Sequence, residues 1–471
     1  MTTEVTPPLH GQPQGQPDGP PPTTAVASAG ATAEAPVPLL LERRGRRAPR
    51  VAVWGHYYGP NLGDEMVTEV VIQAVRARRP DAEVVAISLD PEDTRARHHV
   101  PAYPLVQAHT RPKKRRGFAR LAAGLLRRAG TVAREVPHLW SSYRMLRRID
   151  LMVVAGSGQL LDQWNGPWGH PYAIYKWSVL ARLTGTKVAI LSVGAGPLQG
   201  RLARAFVRSA VEHAGYVSVR DASSKRVLHA AGVRRPLPVV PDMGFEFHPR
   251  HAPRHPSKKT VVGINVMAHA HPEYWGRGDL QRYEDYIAKM TRVACDLLAQ
   301  GIGVELFSSH ATADTHAMND VVAEAWATDP RLASRLVRQF VHDVDGLVRV
   351  IGGYDAVIAA RYHSIALPIL MGIPVVATAY HPKDMDLMRM VGHSEYCLPD
   401  IDTFEAAELT QRINRLLAER TRVRESVAAR VPQLSAAVAH QFDVILRSAS
   451  TEHGAAVYPR APQPERGRHV A

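Results

Sequence analysis

Cysteine is nearly absent from this sequence: its 471 residues include only Cys295 and Cys397. Two thiols so far apart make neither a disulfide framework nor a four-cysteine zinc site, so each is expected as a small buried hydrophobe in a reducing compartment. Also missing is any run of about 18 apolar residues, the length a bilayer-spanning helix needs. The N-terminus has no basic stretch followed by an apolar core; it opens on Pro, Gly, Thr and Gln, which argues against a secretory signal. Aromatic residues make up only 6% of the chain. No zinc finger, helix-turn-helix or interleaved stacking motif is present, so no nucleic-acid partner is expected. These absences point to a cytoplasmic protein.

What is present suits a globular enzyme. Hydrophobic residues account for 45% and charged residues for 22%, a balance that excludes collagen-like, coiled-coil and wholly disordered classes. A single core stops growing near about 300 residues, so two domains are expected. The net charge is +14, and residues 111–148 alone hold twelve Lys and Arg against one acid, Glu135. In that segment Leu121, Leu125, Leu126, Val132 and Leu139 recur among arginines, the pattern of a basic amphipathic helix. It suits adsorption to an anionic membrane leaflet, at the inner face, or to an acidic partner. The alternative is a solvated insert that packs one stripe on its domain.

Residues 1–48 and 449–471, rich in Pro, Ala, Gly and Thr without hydrophobic period, read as disordered leader and tail. Between them, short apolar runs alternate with helical patterns. In residues 49–248 the expected strands are Val51–Trp54, Glu83–Leu89, Ile149–Ala155, Lys187–Val193, Tyr216–Val219 and Leu237–Val240. A Pro- and Ser-containing stretch at 249–258 reads as a linker. The pattern then restarts over 259–448, with strands expected at Thr260–Val266, Gly303–Ser308, Tyr354–Ala359 and Pro374–Ala379. Strand–helix alternation of this kind is the signature of parallel α/β sheets. The fold class is therefore α/β, with two domains of similar size facing across a cleft.

Ligands of open parallel sheets bind beyond the carboxyl ends of the strands, and the informative residues lie there. Tyr58-Gly59-Pro60-Asn61-Leu62-Gly63-Asp64 joins a strand to a helix; it can leave helix amides free for an anion, or be a tight turn that Asp64 caps. Gly156-Ser157-Gly158 and Gly194-Ala195-Gly196 close two strands, either as ligand loops or as close packing, without a full dinucleotide fingerprint. Arg220 stands where a strand gives way to a helix, suited to an anion or to an ion pair with Asp221. The strongest group is Arg361-Tyr362-His363 at a strand–helix junction, with Lys383 after the next strand: two cations for an anion and an imidazole able to trade a proton. His310 and Asp314 are lesser candidates. His269 and His271 are spaced for a metal but have no third ligand, so they read as surface histidines and no metal is expected. There is no Walker loop, Gly-x-Ser-x-Gly elbow or Cys–His pairing.

In this order, these elements resemble the polysaccharide pyruvyl transferase family over roughly residues 51–440. The resemblance rests on Gly59…Asn61-Leu62-Gly63-Asp64, Arg220-Asp221…Ser223/Ser224, Pro241-Asp242, and Arg361-Tyr362-His363 leading to Gly372-Ile-Pro-Val-Val and Tyr380-His-Pro-Lys383. Tyr362 stands where the family usually has an aliphatic residue, and Gly156-Ser157-Gly158 replaces a plain triple glycine. The resemblance implies a GT-B-like pair of Rossmann-like domains with phosphoenolpyruvate in the cleft. It implies transfer of the pyruvyl group to a sugar or glycan acceptor as a ketal, with no redox cofactor. Arg220, Arg361 and Lys383 would clamp the donor, and His363 would protonate its enol carbon. Asp64 or His310 would act on the acceptor, with Asn61, Gly63 and Ser157 lining the site. The same fold could host a glycosyltransferase using a nucleotide sugar, or, in a degenerate form, a basic scaffold.

Overall fold

The computed structural model describes residues 48–55, 61–106, 135–163, 165–249, 259–275 and 278–447. Tyr58, Gly59 and Pro60, most of the basic segment, nearly all of the leader and linker stretches and the tail lie outside the described residues.

The first sheet is parallel and has seven strands. They are β1 (Arg50–Trp54), β2 (Glu83–Ser88), β3 (Ala102–Pro104), β4 (Leu151–Val154), β5 (Ser157–Leu160), β6 (Lys187–Ala195) and β7 (Tyr216–Val219). The order runs β3-β2-β1-β4-β6, with β5 continuing along β6 past β4 and β7 on its far side. Val51, Ala52, Val53 and Trp54 of β1 are all buried, as a central strand covered on both faces requires. The strand expected at Ile149–Ala155 is β4, and a further strand, β5, follows it after Gly156, where a Cβ would meet the carbonyl oxygens of Leu191 and Ser192 at 2.7 Å. The chain can pass β6 this closely only without a side chain. Leu237–Val240, expected as a strand, makes only an isolated bridge from Val239 to Val219. Pro236 and Pro238 flank Leu237 and offer no ladder N–H.

The second sheet is also parallel and contains β8 (Val261–Asn265), β9 (Gly303–Phe307), β10 (Val337–Gln339), β11 (Ala356–Ala359), β12 (Val375–Thr378) and β13 (Cys397–Leu398). Its order is β10-β9-β8-β11-β12-β13. The central strands are again largely apolar, interrupted by Glu305 in β9 and ending at Asn265 in β8, whereas β10 and β13 are short edges that no run announces. Cys397 lies in β13, and both cysteines are free and buried. Of the basic segment, residues 135–146 are helical.

The two halves are tied together at several points. Leu62 N–H donates to Ser309 O at 3.1 Å, and Asn61 bridges His310. Ser223 N–H donates to Asp386 Oδ2 at 2.8 Å. The 27-residue terminal helix Arg420–Leu446 reaches back to the first half. There buried Gln441 accepts from Ser218 Oγ at 2.6 Å and donates to Ser192 Oγ at 2.9 Å.

Candidate active site

Helix Leu62–Arg78 starts at the carboxyl edge of the first sheet. Asn61 caps it by accepting from Gly63 N–H at 3.2 Å, and Asp64 and Glu65 place negative charge in its first turn. Asp64 does not serve as the cap. Its Oδ2 accepts from Asn61 Nδ2 at 2.8 Å, and Ser157 Oγ donates to its Oδ1. Ser157 holds φ at 145°, a backbone region costly for a residue with a side chain and one that concentrates at functional sites. His170, at the start of helix His170–Thr184, feels the Asp64 charge. Burial nevertheless lowers its pKa to about 4, so the ring is neutral near pH ~7.

The second sheet supplies the facing wall. Strand β11 delivers Arg361, Tyr362 and His363 to the start of helix Tyr362–Leu370. Arg361 is 20% exposed and grips the fully buried carboxylate of Asp314, Nε to Oδ2 at 2.8 Å and Nη2 to Oδ1 at 2.6 Å. His310 is close by: burial lowers its pKa and the Arg361 charge lowers it further. His363 is 11% exposed, with Nε2 3.6 Å from Asp242 Oδ1. Across the junction its ring presses on Gly63, where a Cβ would overlap Nδ1. Burial alone would raise the Asp242 carboxyl, but the charges of His363 and Arg220 hold it well below the usual carboxylate range.

Arg220 departs from the expectation that it grips an anion directly. Its side chain is 1% exposed, with Nη1 donating to Asp242 at 3.1 Å and Nε to Asp221 at 3.3 Å. One face of the guanidinium lies on Gly194, where a Cβ would come within 2.7 Å of it. The Tyr362 ring covers it at 4.0 Å. Two carboxylates pair with this cation and an aromatic ring closes it off, leaving it almost no exposed surface. The Gly194 turn is thus the close-packing alternative weighed for it. Tyr362, the departure from the family pattern, is what completes the sandwich.

Lys383 lies in the first turn of helix Pro382–Met390, its Nζ 5.3 Å from the Tyr380 ring centroid. Among the described residues its ammonium pairs with no carboxylate. His381 caps this helix by accepting the Lys383 N–H, while Asp384 Oδ2 accepts the His381 N–H at 3.2 Å. Burial, then the Lys383 and Arg220 charges, lower the His381 pKa to about 4. Burial raises the Asp384 carboxyl to about 7, against the pull of those same two cations.

The structure therefore gathers Asn61, Gly63, Asp64, Ser157, Arg220, His310, Arg361, His363 and Lys383 along one junction. Sequence reasoning gave no role to Asp242, His170, His381, Tyr362 or Asp384. Pro241-Asp242 after a strand and His381 beside Lys383 were the available signals. The reading of His269 and His271 as surface residues is corrected for His269, which is 6% exposed. Its Nε2 pairs with Asp402 at 2.8 Å, because β8 ends inside the sheet's carboxyl edge rather than at the surface. Among the described residues no cluster of His, Cys, Asp and Glu could hold a metal.

Searching curated proteins finds no match. Solved structures share the two-lobed GT-B arrangement. A Listeria monocytogenes protein described as a UDP-N-acetylglucosamine 2-epimerase is 9% identical with a TM-score of 0.53, covering 84% of this chain and 95% of that one. A Rickettsia africae glycosyltransferase is 11% identical with a TM-score of 0.52, covering 85% and 100%. S. aureus MnaA with UDP is 9% identical with a TM-score of 0.52, covering 84% and 96%. At such identities the likeness concerns the fold alone. The sequence itself matches polysaccharide pyruvyl transferase from residue 61 to residue 382, from the Asn61 cap to the start of the Lys383 helix. Spanning most of both sheets and nearly all of the junction between them, that match makes this chain a member of the polysaccharide pyruvyl transferase family.

Proposed function

We propose that this junction transfers the pyruvyl group of phosphoenolpyruvate to two hydroxyls of one sugar in a polysaccharide or glycoconjugate, forming a pyruvyl ketal. The observation that carries the reading is the setting of His363, pressed between Gly63 of one half and Asp242, with Arg361 and Lys383 on the same wall. The donor bears a phosphate and a carboxylate. Lys383, unpaired among the described residues, and the exposed edge of Arg361 receive these anions. Arg220 keeps Asp242 ionised, and Asp242 orients the His363 ring.

His363 gives a proton to the enol CH2, which becomes CH3 and leaves C2 an electrophilic oxocarbenium-like centre. A sugar hydroxyl attacks C2 and loses its proton to Asp64, held by Asn61 and Ser157, or to His310. The C2–O bond to phosphate then breaks and phosphate takes the bonding pair. The second hydroxyl closes the ketal and its proton is lost. Of the two hydroxyl protons, one balances the new methyl hydrogen and the other leaves on phosphate. No electrons change hands, so no redox cofactor is called for.

The experiment follows phosphate release from phosphoenolpyruvate, against nucleotide release from sugar nucleotides, over a panel of glycosyl acceptors. Phosphate release with a pyruvylated product is expected, and nucleotide release would instead make the protein a glycosyltransferase. His363→Ala should lower kcat by about 10³-fold while the protein stays folded. Lys383→Ala should mainly raise the phosphoenolpyruvate KM, by about tenfold or more. Full activity in the His363 variant would remove it from the reaction.

A further inference from the structure

Three helices form one layer on the first sheet: residues 135–146, His170–Thr184 and Arg201–His213. The middle helix binds both neighbours. Lys176 Nζ reaches Glu135 at 2.9 Å, and Tyr175 stacks on Phe206 with centroids 4.7 Å apart. The outward side of this layer carries large apolar side chains that stay exposed among the described residues. Val136 is 58% exposed, Trp140 61%, Trp168 64% and Leu202 43%. The two indoles are held ready, Trp140 stacked on Tyr143 and Trp168 backed by Tyr172 and Phe206.

Charge surrounds them. From 135 to 148, 170 to 184 and 201 to 213 the chain has eight Lys and Arg against two acids, Glu135 and Glu212, and Glu135 is already paired with Lys176. Arg144 lies on the same helix side as Val136 and Trp140, eight and four residues along, and Arg201 adjoins Leu202.

We propose that this face docks peripherally on an anionic lipid bilayer. Exposed indoles favour the headgroup level of a membrane, and arginines around them are drawn to anionic lipid. Val136 and Trp140 come from the first helix, Trp168 from the turn before the second and Leu202 from the third, a spread of separate apolar groups that suits a lipid surface better than a protein needing a continuous groove. Trp168 and Leu202 sit where the chain leaves β5 and β6, so docking brings the carboxyl edge of the first sheet, and the junction with it, to the membrane. The inference is independent of the donor proposed above.

The test is cosedimentation of the full chain with phosphatidylcholine vesicles and with vesicles containing phosphatidylglycerol. Binding to the second is expected, weakening as salt rises. Trp140→Ala with Trp168→Ala should reduce it at least about tenfold. Arg144→Gln and Arg201→Gln should cost about fivefold each. Thermal melting and turnover of soluble substrate should stay unchanged, since these side chains are exposed and outside the site. Equal binding to neutral vesicles, or full binding by the double tryptophan variant, would overturn the proposal. So would binding to soluble heparin with none to vesicles, which would assign the face to an acidic polymer.

Discussion

At position 63 the backbone is helical, and helix propensity alone favours alanine over glycine there by about 1 kcal/mol. The opposing fact is the His363 ring, whose Nδ1 occupies the place of a Cβ. Contact decides this position, because an interior packed at crystal-like density does not absorb an overlap without moving a neighbour. Gly63→Ala is therefore expected to displace His363 and lower kcat by about 10²-fold, the usual penalty for an angstrom-scale misplacement. Steady-state kinetics beside a thermal melt checks it. Unchanged kcat with a raised Tm would mean that propensity governs the site and His363 tolerates the shift. Tyr362 shows the limit of reading single residues. Its ring makes sense only with Arg220, 142 residues earlier, beneath it, and no local pattern announces that pairing.

Helix Pro382–Met390 is built on an unusual cap. His381 accepts the Lys383 N–H, and Asp384 accepts the His381 N–H in return, so two backbone donors are satisfied by two titratable groups. Asp384 Oδ1 has no partner among the described residues and the side chain is fully buried. An ionised carboxylate there lacks solvation, which is why its pKa rises to about 7. Asn keeps the oxygen acceptor without the charge. Asp384→Asn should thus stabilise the protein above pH ~7 by about 2–4 kcal/mol and change little near pH ~3, where the acid is mostly protonated whether folded or not. Melting curves at the two pH values decide it, and destabilisation at high pH would show that the carboxylate is needed there. Elements like this are partly legible in advance. Buried parallel strands declare themselves by apolar runs, so β1, β2, β6, β8, β9, β11 and β12 fall where the runs are. Edges β3, β10 and β13 are two or three residues long, too short to leave a pattern. The Leu237–Val240 run has the right composition but the wrong backbone, with prolines at its first turnings. For the site, positions at strand ends marked the cations and His363. The carboxylates that hold them, Asp242 and Asp314, arrive from other strands and become visible only when the sheets are assembled.

At the scale of the molecule, the junction between the two sheets buries titratable groups that the unfolded chain exposes. The linkage for three of them runs in both directions. His170 and His381, each at about 4, stay neutral in the folded protein through the range where unfolded histidine, near about 6.5, gains a proton. Each therefore makes stability rise with pH between about 4 and 6.5. Asp384, at about 7, holds a proton when folded that the unfolded carboxyl has lost above about 3.9, so it makes stability fall with pH up to about 7. Among these three, two groups against one leave the unfolded chain binding one extra proton, so together they contribute a climb of about 1.4 kcal/mol per pH unit across the window. Burial lowers the pKa of His310, His138, His269 and His393 in the same sense, while it raises that of Glu65 in the opposite one. Between about 6.5 and 7 only Asp384 of the three still titrates, so their combined contribution peaks near pH ~6.5 and levels off above pH ~7. Asp242, held far below the usual carboxylate range, adds its loss only under more acidic conditions. Chemical denaturation across this pH series should show the climb, and in Asp384→Asn the slope should steepen by about 1.4 kcal/mol per pH unit, with the optimum moved upward. A flat profile in the parent protein would mean that these histidines gain protons in the folded state, and with that the neutral ring at His381, beside the only cation of the site left unpaired among the described residues, would be lost as a feature of the junction.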